Sequence, residues 1–219
     1  MNQPLEIDYY TDVLCIWAWI AQRRIEELQL QWGEQIQIQH HYLNLFGDTS
    51  TRIAKNWADR GGYSGFGAYV IESAAPYGQA PVNPEIWITT RPATSANAHL
   101  ILKAAAQVSS ASVAEQLALS IRHAFFVDAA DIGNLGILMD IARSQGLNEK
   151  DVYSCIESGH AGAALMNDYL KAQQLNIQGS PSWVMNNGRQ TLYGNVGYQL
   201  LNANVESLLS RNEEGASWC

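Results

Sequence analysis

The chain has 219 residues, of which 47% are hydrophobic and 16% are charged, and its net charge is −8 at pH 7. This length suffices for one well-packed domain with a subdomain inserted in it, and the composition is that of an ordinary globular protein. The negative charge and the lack of any Lys/Arg cluster argue against nucleic acid and a membrane surface as partners. The first ten residues have neither the basic nor the apolar segment of a secretory signal, so we expect a cytoplasmic protein.

Three cysteines, Cys15, Cys155 and Cys219, lie too far apart in sequence to form a Cys-X-X-Cys motif. No third ligand accompanies the adjacent pair His40 and His41, so no metal site is expected. An odd number of cysteines in a reducing compartment indicates free thiols. We expect Cys155 to be a buried structural thiol and Cys219 to lie in a frayed terminus, from which it could still reach Cys15.

The chain opens with a predicted strand at residues 5–10, a helix after residues 11–14, and a second strand at residues 36–43. Apolar residues recur at helical spacing in the helix, whereas Ile36 and Ile38 alternate with glutamines in the second strand. This order predicts a parallel β-α-β unit.

The middle of the chain, residues 49–175, is predicted to be helical or connective. Prolines and glycines break residues 61–84 into short helices and loops, a composition that would suit a lid over a cleft. Pro92 suits the first turn of a helix, Gly146 the end of one, and Asn148 the cap of the next. The predicted helices that follow residue 92 are 93–108, 112–127, 133–145, 149–157 and 159–175. His99 and His123 lie on two of these helices, where we expect structural roles.

The end of the chain returns to short strands. Residues 183–185 and 190–193 are predicted strands joined by an Asn-Asn-Gly turn, and residues 199–209 form a last helix. The order β-α-β, helices, then α-β-β-α predicts an α/β protein, a thioredoxin fold with a large all-helical insertion between its two halves. The predicted domains are a thioredoxin-like domain, residues 1–48 and 167–219, and a helical insertion subdomain, residues 49–166.

Two segments carry a resemblance to a known family. Residues 12–20 read Asp-Val-Leu-Cys-Ile-Trp-Ala-Trp-Ile, and residues 179–184 read Gly-Ser-Pro-Ser-Trp-Val. They resemble the active-site and cis-proline segments of the DsbA-like thioredoxin-fold proteins, especially the FrnE-like branch, which read Cys-Pro-Trp-Cys-Tyr and Gly-Val-Pro-Thr-Phe-Val. Residues 124–132, 142–146 and 168–179 are also similar, so the resemblance spans nearly the whole chain. It implies a thiol-disulfide oxidoreductase.

The active-site motif departs from the family at one position, because Ala18 replaces the second cysteine. A dithiol oxidase completes its cycle when the second thiol attacks the mixed disulfide, which Ala18 cannot do. The resemblance therefore implies a monothiol enzyme acting through Cys15, with glutathione as co-substrate and no tightly bound cofactor. Its partners would be a thiol or disulfide substrate or glutathione, and the sequence also allows a homodimer.

Cys15 lies where a strand ends and a helix begins, beside unpaired N–H groups and the positive end of the helix dipole. This position predicts a pKa lowered from about 8.5 to between roughly 3.5 and 7.5, and hence a thiolate at neutral pH. The resemblance implies a cis peptide bond before Pro181, which turns the backbone of Ser180 toward Cys15 to pair with a peptide or with glutathione. The expected substrate-binding residues are Ile16, Trp17, Ala18, Ser180, Pro181 and Asn195.

Two other interpretations stay open. The sequence Asp-Val-Leu-Cys at residues 12–15 is also similar to the Asp-Val-Leu-Ser opening of kappa-class glutathione transferases and hydroxychromene-carboxylate isomerases. In that case Cys15 would occupy the place of the hydroxyl that stabilises the thiolate of bound glutathione. The third interpretation is a redox-inactive protein that keeps only a peptide-binding groove. Trp17 would be a substrate platform in an enzyme, or else a core aromatic side chain.

Overall fold

A computed structural model describes residues 3–210. Two 3₁₀ segments, Gly33–Gln35 and Ala58–Arg60, and a π-helical turn, Ser50–Lys55, lie between the main elements. The main elements in chain order are β1 (Leu5–Thr11), α1 (Ile16–Trp32), β2 (Ile36–Tyr42), α2 (Gly62–Ala74), α3 (Ala96–Val108), α4 (Ala111–Phe126), α5 (Leu135–Ser144), α6 (Glu149–Glu157), α7 (His160–Gln174), β3 (Ser182–Met185), β4 (Gln190–Tyr193) and α8 (Tyr198–Ser210).

The four strands form one sheet in the order β2-β1-β3-β4. Strands β1 and β2 are parallel, with Leu5 opposite Ile36, because α1 connects them as a crossover. Strand β3 runs antiparallel to both β1 and β4. The predicted α/β class and the thioredoxin-type order, with helices inserted between β2 and β3, are confirmed.

Two apolar cores hold α1 in place. The first core packs α1 and α8 against the sheet and contains Leu28, Trp183 and Val205. The second joins the first turns of α1 to the inserted helices, where Trp19 stacks on Phe126 with ring centres 5.7 Å apart. The start of α1 is thus packed between the sheet and the insertion. The predicted domain boundaries at residues 48/49 and 166/167 stay a prediction.

Residues 61–84 form one helix, α2, followed by turns and loops, as predicted, but the glycines do not break α2, which runs unbroken for 13 residues. Its glycines serve close packing rather than chain breaking. A Cβ atom on Gly65 would lie 1.7 Å from the carbonyl oxygen of Arg60, and one on Gly67 would lie 3.2 Å from that of Ile86. Glycine is therefore required at position 65, and at position 67 it avoids a tight contact with neighbouring backbone. A lid role for the segment stays a prediction.

Of the three residues predicted to mark helix ends, Asn148 and Gly146 do so in the structure and Pro92 does not. The Asn148 side chain accepts a hydrogen bond from the N–H of Lys150 at 2.9 Å, and Gly146 has a positive φ of 79° after α5. The expectation for Pro92 is wrong, because α3 begins at Ala96. Among the described helices, none combines the length and the hydropathy needed to cross a lipid bilayer.

Candidate active site

Cys15 is the residue that precedes α1, and its side chain lies against the segment before β3. Its Sγ donates a hydrogen bond to the Ser180 carbonyl oxygen at 3.2 Å. The Ser180–Pro181 peptide bond is cis, as the resemblance implied. The Ser180 hydroxyl accepts a hydrogen bond from the N–H of Asp12 at 3.1 Å, so two contacts join these segments. The structure therefore brings together Cys15 and Ser180, which are far apart in sequence.

The carboxylate of Asp12 fixes the loop that leads to Cys15. It is completely buried, and it accepts hydrogen bonds from the N–H of Leu14 at 3.0 Å and of Phe46 at 3.0 Å. It also accepts one from the N–H of Leu45 at 3.2 Å and one from the Ser95 hydroxyl at 2.8 Å. These donors compensate the cost of burying the carboxyl group. Sequence reasoning missed this role, because most of the donors come from segments distant in the chain.

His99 supports the same loop from α3. Its Nε2 accepts a hydrogen bond from the N–H of Val13 at 3.2 Å, which requires that nitrogen to be unprotonated. Complete burial lowers the pKa of His99, although the charge of Asp12 acts in the opposite direction, and the ring is therefore neutral. This agrees with the expected structural role of His99. His123 is exposed and contacts Asp128 at 3.1 Å.

The protonation state of Cys15 differs from the expectation. Burial raises the pKa of the thiol, whereas the Ser180 hydroxyl and the N–H groups of Ala18 and Trp17 act in the opposite direction without overcoming burial. The predicted lowering of the pKa is therefore wrong. The helix N-terminus favours a thiolate, but Cys15 is only 6% exposed, so the loss of hydration disfavours the anion more strongly. The resting form is the thiol.

A cavity of about 260 Å³ lies between the start of α1 and the inserted helices. Cys15 and Ser180 form part of its wall, and so do Ile16 and the half-buried Trp17. The Trp17 indole N–H donates to the Tyr69 hydroxyl at 3.0 Å, which fixes the ring at the cavity edge. The site can therefore present one thiol and a backbone carbonyl to a small ligand or to part of a larger one.

Three of the expected binding residues do not line this cavity. Ala18 is completely buried, and Pro181 is buried behind Ser180. Asn195 is exposed outside the cavity, where its amide donates to the Tyr77 hydroxyl at 2.7 Å. Their proposed contacts with substrate stay predictions that the cavity geometry does not favour.

The insertion contributes wall residues that sequence reasoning missed. They come from the π-helical turn, from the segment that leads into α2 and from α2 itself, and they are Arg52, Trp57, Phe66 and Tyr69. The dense aromatic content of residues 57–69 was a usable signal for a binding surface. Nothing in the sequence, however, places this segment over Cys15 rather than elsewhere on the insertion.

The remaining cysteine and metal expectations concern other parts of the chain. Cys155 is buried in α6, and its Sγ lies 3.6 Å from the Gln107 side-chain oxygen, which fits a structural thiol. Cys219 lies outside the described residues. Within residues 3–210, no group of three or more His, Cys, Asp or Glu side chains could hold a metal ion.

Comparison with known proteins gives the same fold. The cytosolic disulfide reductase DsbM from Pseudomonas aeruginosa is 17% identical, covers 94% of this chain and 99% of its own, and has a TM-score of 0.69. The structure of DsbM with GSH is 16% identical, covers 94% of this chain and 100% of its own, and has a TM-score of 0.69. The 2-hydroxychromene-2-carboxylate isomerase is 15% identical, covers 97% and 100%, and has a TM-score of 0.67.

At these identities the structural likeness shows the fold alone. No curated protein sequence gives a significant match. The profile of the DSBA-like thioredoxin domain, however, matches residues 6–206. That match extends over both halves of the sheet and every inserted helix, as the early resemblance did. The chain therefore belongs to the family of DSBA-like thioredoxin domains.

Proposed function

We propose that this protein is a thiol-disulfide oxidoreductase in which Cys15 alone forms the mixed disulfide and glutathione supplies the second thiol. The observation that carries the proposal is the position of Cys15 Sγ, on the cavity wall and 3.2 Å from the Ser180 carbonyl oxygen. The backbone at Ser180 could pair with an extended peptide or with the cysteinyl part of glutathione. The structure of DsbM with GSH, a protein of the same fold, supports glutathione as the partner.

The chemistry needs one protein thiol. The deprotonated Cys15 Sγ attacks the glutathione sulfur of a substrate–glutathione disulfide, the S–S bond breaks, and the substrate sulfur leaves as a thiolate and takes up a proton. A second glutathione thiolate then attacks the glutathione sulfur bound to Cys15. This step restores Cys15 and releases oxidised glutathione, so the substrate is reduced at the expense of glutathione. Ala18, completely buried, plays no part in this cycle.

The raised pKa sets the rate of this cycle. Because only the thiolate attacks a disulfide, a thiol that is mostly protonated at neutral pH reacts slowly. We therefore expect the exchange rate to rise with pH beyond the neutral range. The proposed glutathione partner also fits the expected cytoplasmic location, where thiols are kept reduced. The homodimer stays a prediction.

A second candidate function is favoured by the same raised pKa. A protonated Cys15 could donate its S–H to the thiolate of bound glutathione, as the hydroxyl does in the kappa-class enzymes that the sequence resembles. The fold of the 2-hydroxychromene-2-carboxylate isomerase supports this candidate. Glutathione would then attack an electrophile or assist an isomerisation without any covalent bond to Cys15.

Two variants separate the candidates, Cys15→Ser and Cys15→Ala. The protein is incubated with oxidised glutathione, and mass spectrometry of the intact protein and of its peptides locates any adduct. Two activities are measured in parallel: reduction of a glutathionylated peptide, and conjugation of glutathione to an aromatic electrophile. The oxidoreductase predicts an adduct on Cys15 that excess glutathione removes, and loss of peptide reduction in both variants. The second candidate predicts no adduct, with conjugation kept in Cys15→Ser and lost in Cys15→Ala. A wild-type protein that does neither would overturn both and leave the redox-inactive peptide-binding protein.

A further inference from the structure

Among the residues of 3–210 that line the cavity at Cys15, Arg52 is the one with a charged side chain. It belongs to the π-helical turn Ser50–Lys55, and its guanidinium carbon lies 4.6 Å from the centre of the Phe46 ring. Stacking on an aromatic ring holds a guanidinium in a fixed orientation. The insertion thus places one oriented cation in the same small cavity as the Cys15 thiol.

The guanidinium has unused hydrogen-bonding capacity. Its Nε is buried without a hydrogen-bond partner, and among residues 3–210 no carboxylate oxygen lies within 4.0 Å of its nitrogens. Arg23 and Arg143, by contrast, both pair with carboxylates near them in sequence. A buried donor without a partner is unfavourable, so a bound acceptor would remove an existing cost. Within the described part of the chain, the cavity wall also carries no acidic side chain.

The negative charge of the whole protein makes the position of this cation important for the binding of an anion. With a net charge of −8, the protein as a whole repels anions. A ligand that carries a carboxylate would therefore find its favourable contact at Arg52, where two parallel N–H groups match the two oxygens of the anion. Beside Arg52, Trp57, Phe66 and Tyr69 give the cavity flat apolar walls that suit a planar group.

We propose that Arg52 binds a carboxylate of the ligand that reacts at Cys15, so that the substrates of this site are acidic thiols and disulfides. The inference rests on the proposed function of Cys15 and names its substrate class. The carboxylate could belong to glutathione or to an aromatic substrate that lies against the tryptophan and phenylalanine rings. The interaction with Arg52 is the same in both cases.

The test compares disulfide probes in a Cys155→Ser, Cys219→Ser background, in which Cys15 is the only thiol. The aromatic pair is dithiobis(nitrobenzoate), which carries a carboxylate on each ring, and the uncharged dithiodipyridine. The aliphatic pair is oxidised glutathione and the uncharged hydroxyethyl disulfide. Rates of thiol release are measured for the background protein, for Arg52→Gln, for Arg52→Lys, and for Lys55→Gln as a matched control that removes an exposed charge from the same turn.

We expect Arg52→Gln to reduce the preference for the acidic over the uncharged probe by about tenfold or more, the worth of one charge-assisted hydrogen bond. Arg52→Lys should restore part of the preference, and Lys55→Gln should leave it unchanged. A loss confined to the aromatic pair assigns the carboxylate to an aromatic substrate, and a loss in the aliphatic pair assigns it to glutathione. A general disturbance of the site would slow both members of a pair equally.

Two negative results are distinguishable. If Cys15 reacts with the probes but Arg52→Gln changes neither preference, or if Lys55→Gln lowers it equally, the assignment of Arg52 is overturned and the proposed function survives. If Cys15 reacts with no disulfide in any variant, the oxidoreductase itself is overturned.

Discussion

A buried charge cluster on the sheet allows a quantitative prediction. Asp168 on α7 accepts a hydrogen bond from the N–H of Tyr42 at 2.8 Å, and its carboxylate lies 2.5 Å from the Lys103 ammonium and 3.0 Å from His41 Nδ1. The other ring nitrogen of His41 lies 2.6 Å from Asp8. One carboxylate thus joins α7, α3 and β2.

The Asp168→Asn variant keeps the shape of the side chain and removes its charge. The Asp168 and Lys103 side chains are 3% and 15% exposed, so the variant leaves a largely buried ammonium without its anion. Breaking a buried pair in this way costs about 3–5 kcal/mol, and the partial exposure of Lys103 points to the lower end, about 3 kcal/mol. The matched control is Asp140→Asn on α5, whose side chain is 68% exposed and pairs with Arg143. It should cost less than about 1 kcal/mol.

The pH dependence of stability follows from the same contacts. Burial opposes the charged form of His41, but hydrogen bonds with Asp168 and Asp8 outweigh it and raise the pKa above 6.5. The stability that charged His41 contributes is therefore complete below pH 6.5 and is lost as the pH rises through the raised pKa. Burial likewise opposes the charged form of Asp168, but His41 and Lys103 outweigh it and lower its pKa below 3.8, so that contribution is lost as the pH falls through the lowered value.

Urea unfolding followed by tryptophan fluorescence, at several pH values from about 3 to 9, measures both effects. In the wild type, the cluster should contribute most to the free energy of unfolding between pH 3.8 and 6.5, and this free energy should fall as the pH rises above 6.5. In Asp168→Asn, most of that fall above pH 6.5 should be absent. Equal destabilisation by Asp168→Asn and Asp140→Asn, or an unchanged alkaline decline, would refute this account of the cluster.

Three further predictions test the local geometry. Alkylation of Cys15 by iodoacetamide should be slow at neutral pH and should keep rising with pH past 9.0 without levelling off, because burial raises the pKa of the thiol; a rate that levels off below pH 9.0 would contradict this. Gly65→Ala should destabilise the fold by about 1–3 kcal/mol, because its Cβ would lie 1.7 Å from a backbone carbonyl oxygen. Gly162→Ala on α7, whose Cβ would have nothing within 4 Å, should instead stabilise the fold by about 0.5–1 kcal/mol. Urea unfolding measures both, and effects of equal sign would be inconsistent with this packing. Gly179→Ala should displace the ring of Tyr193, which the new Cβ would approach to 2.3 Å. Because Tyr193 is 67% exposed, the free energy of unfolding should change little, whereas alkylation of Cys15 should become faster. An unchanged alkylation rate would argue against Tyr193 covering the thiol.

The sequence predicted the fold well because its signals are local. The alternation in β2, the Asn-Asn-Gly turn before β4 and the cap at Asn148 depend on neighbours within a few residues. The same local rules were wrong about the glycines of α2, because Gly65 and Gly67 do not break the helix and instead lie against other segments of backbone. A glycine that breaks a chain and a glycine that permits close packing look alike in sequence.

The site was predicted only in part for a related reason. Cys15, Trp17 and Ser180 were found because two short motifs identify them, and the structure brings all three to one cavity. Arg52 and Asp12 were not, because their roles depend on partners in other segments, the ring of Phe46 and the hydroxyl of Ser95.

The wrong sign for the pKa of Cys15 shows where reactivity is controlled in this protein. The helix N-terminus at Ile16 is visible in the sequence and favours a thiolate, but that effect falls off within one turn and is modest beside the loss of hydration. Hydration is lost because the start of α1 is packed into a core and a cavity wall to which the insertion contributes Phe66 and its neighbours. The motif therefore specifies where the sulfur lies, and the packing around it, to which the insertion contributes, opposes its ionisation. Because the same insertion supplies Arg52, changes in that segment should alter reactivity and substrate class together while the thioredoxin-like sheet stays the same.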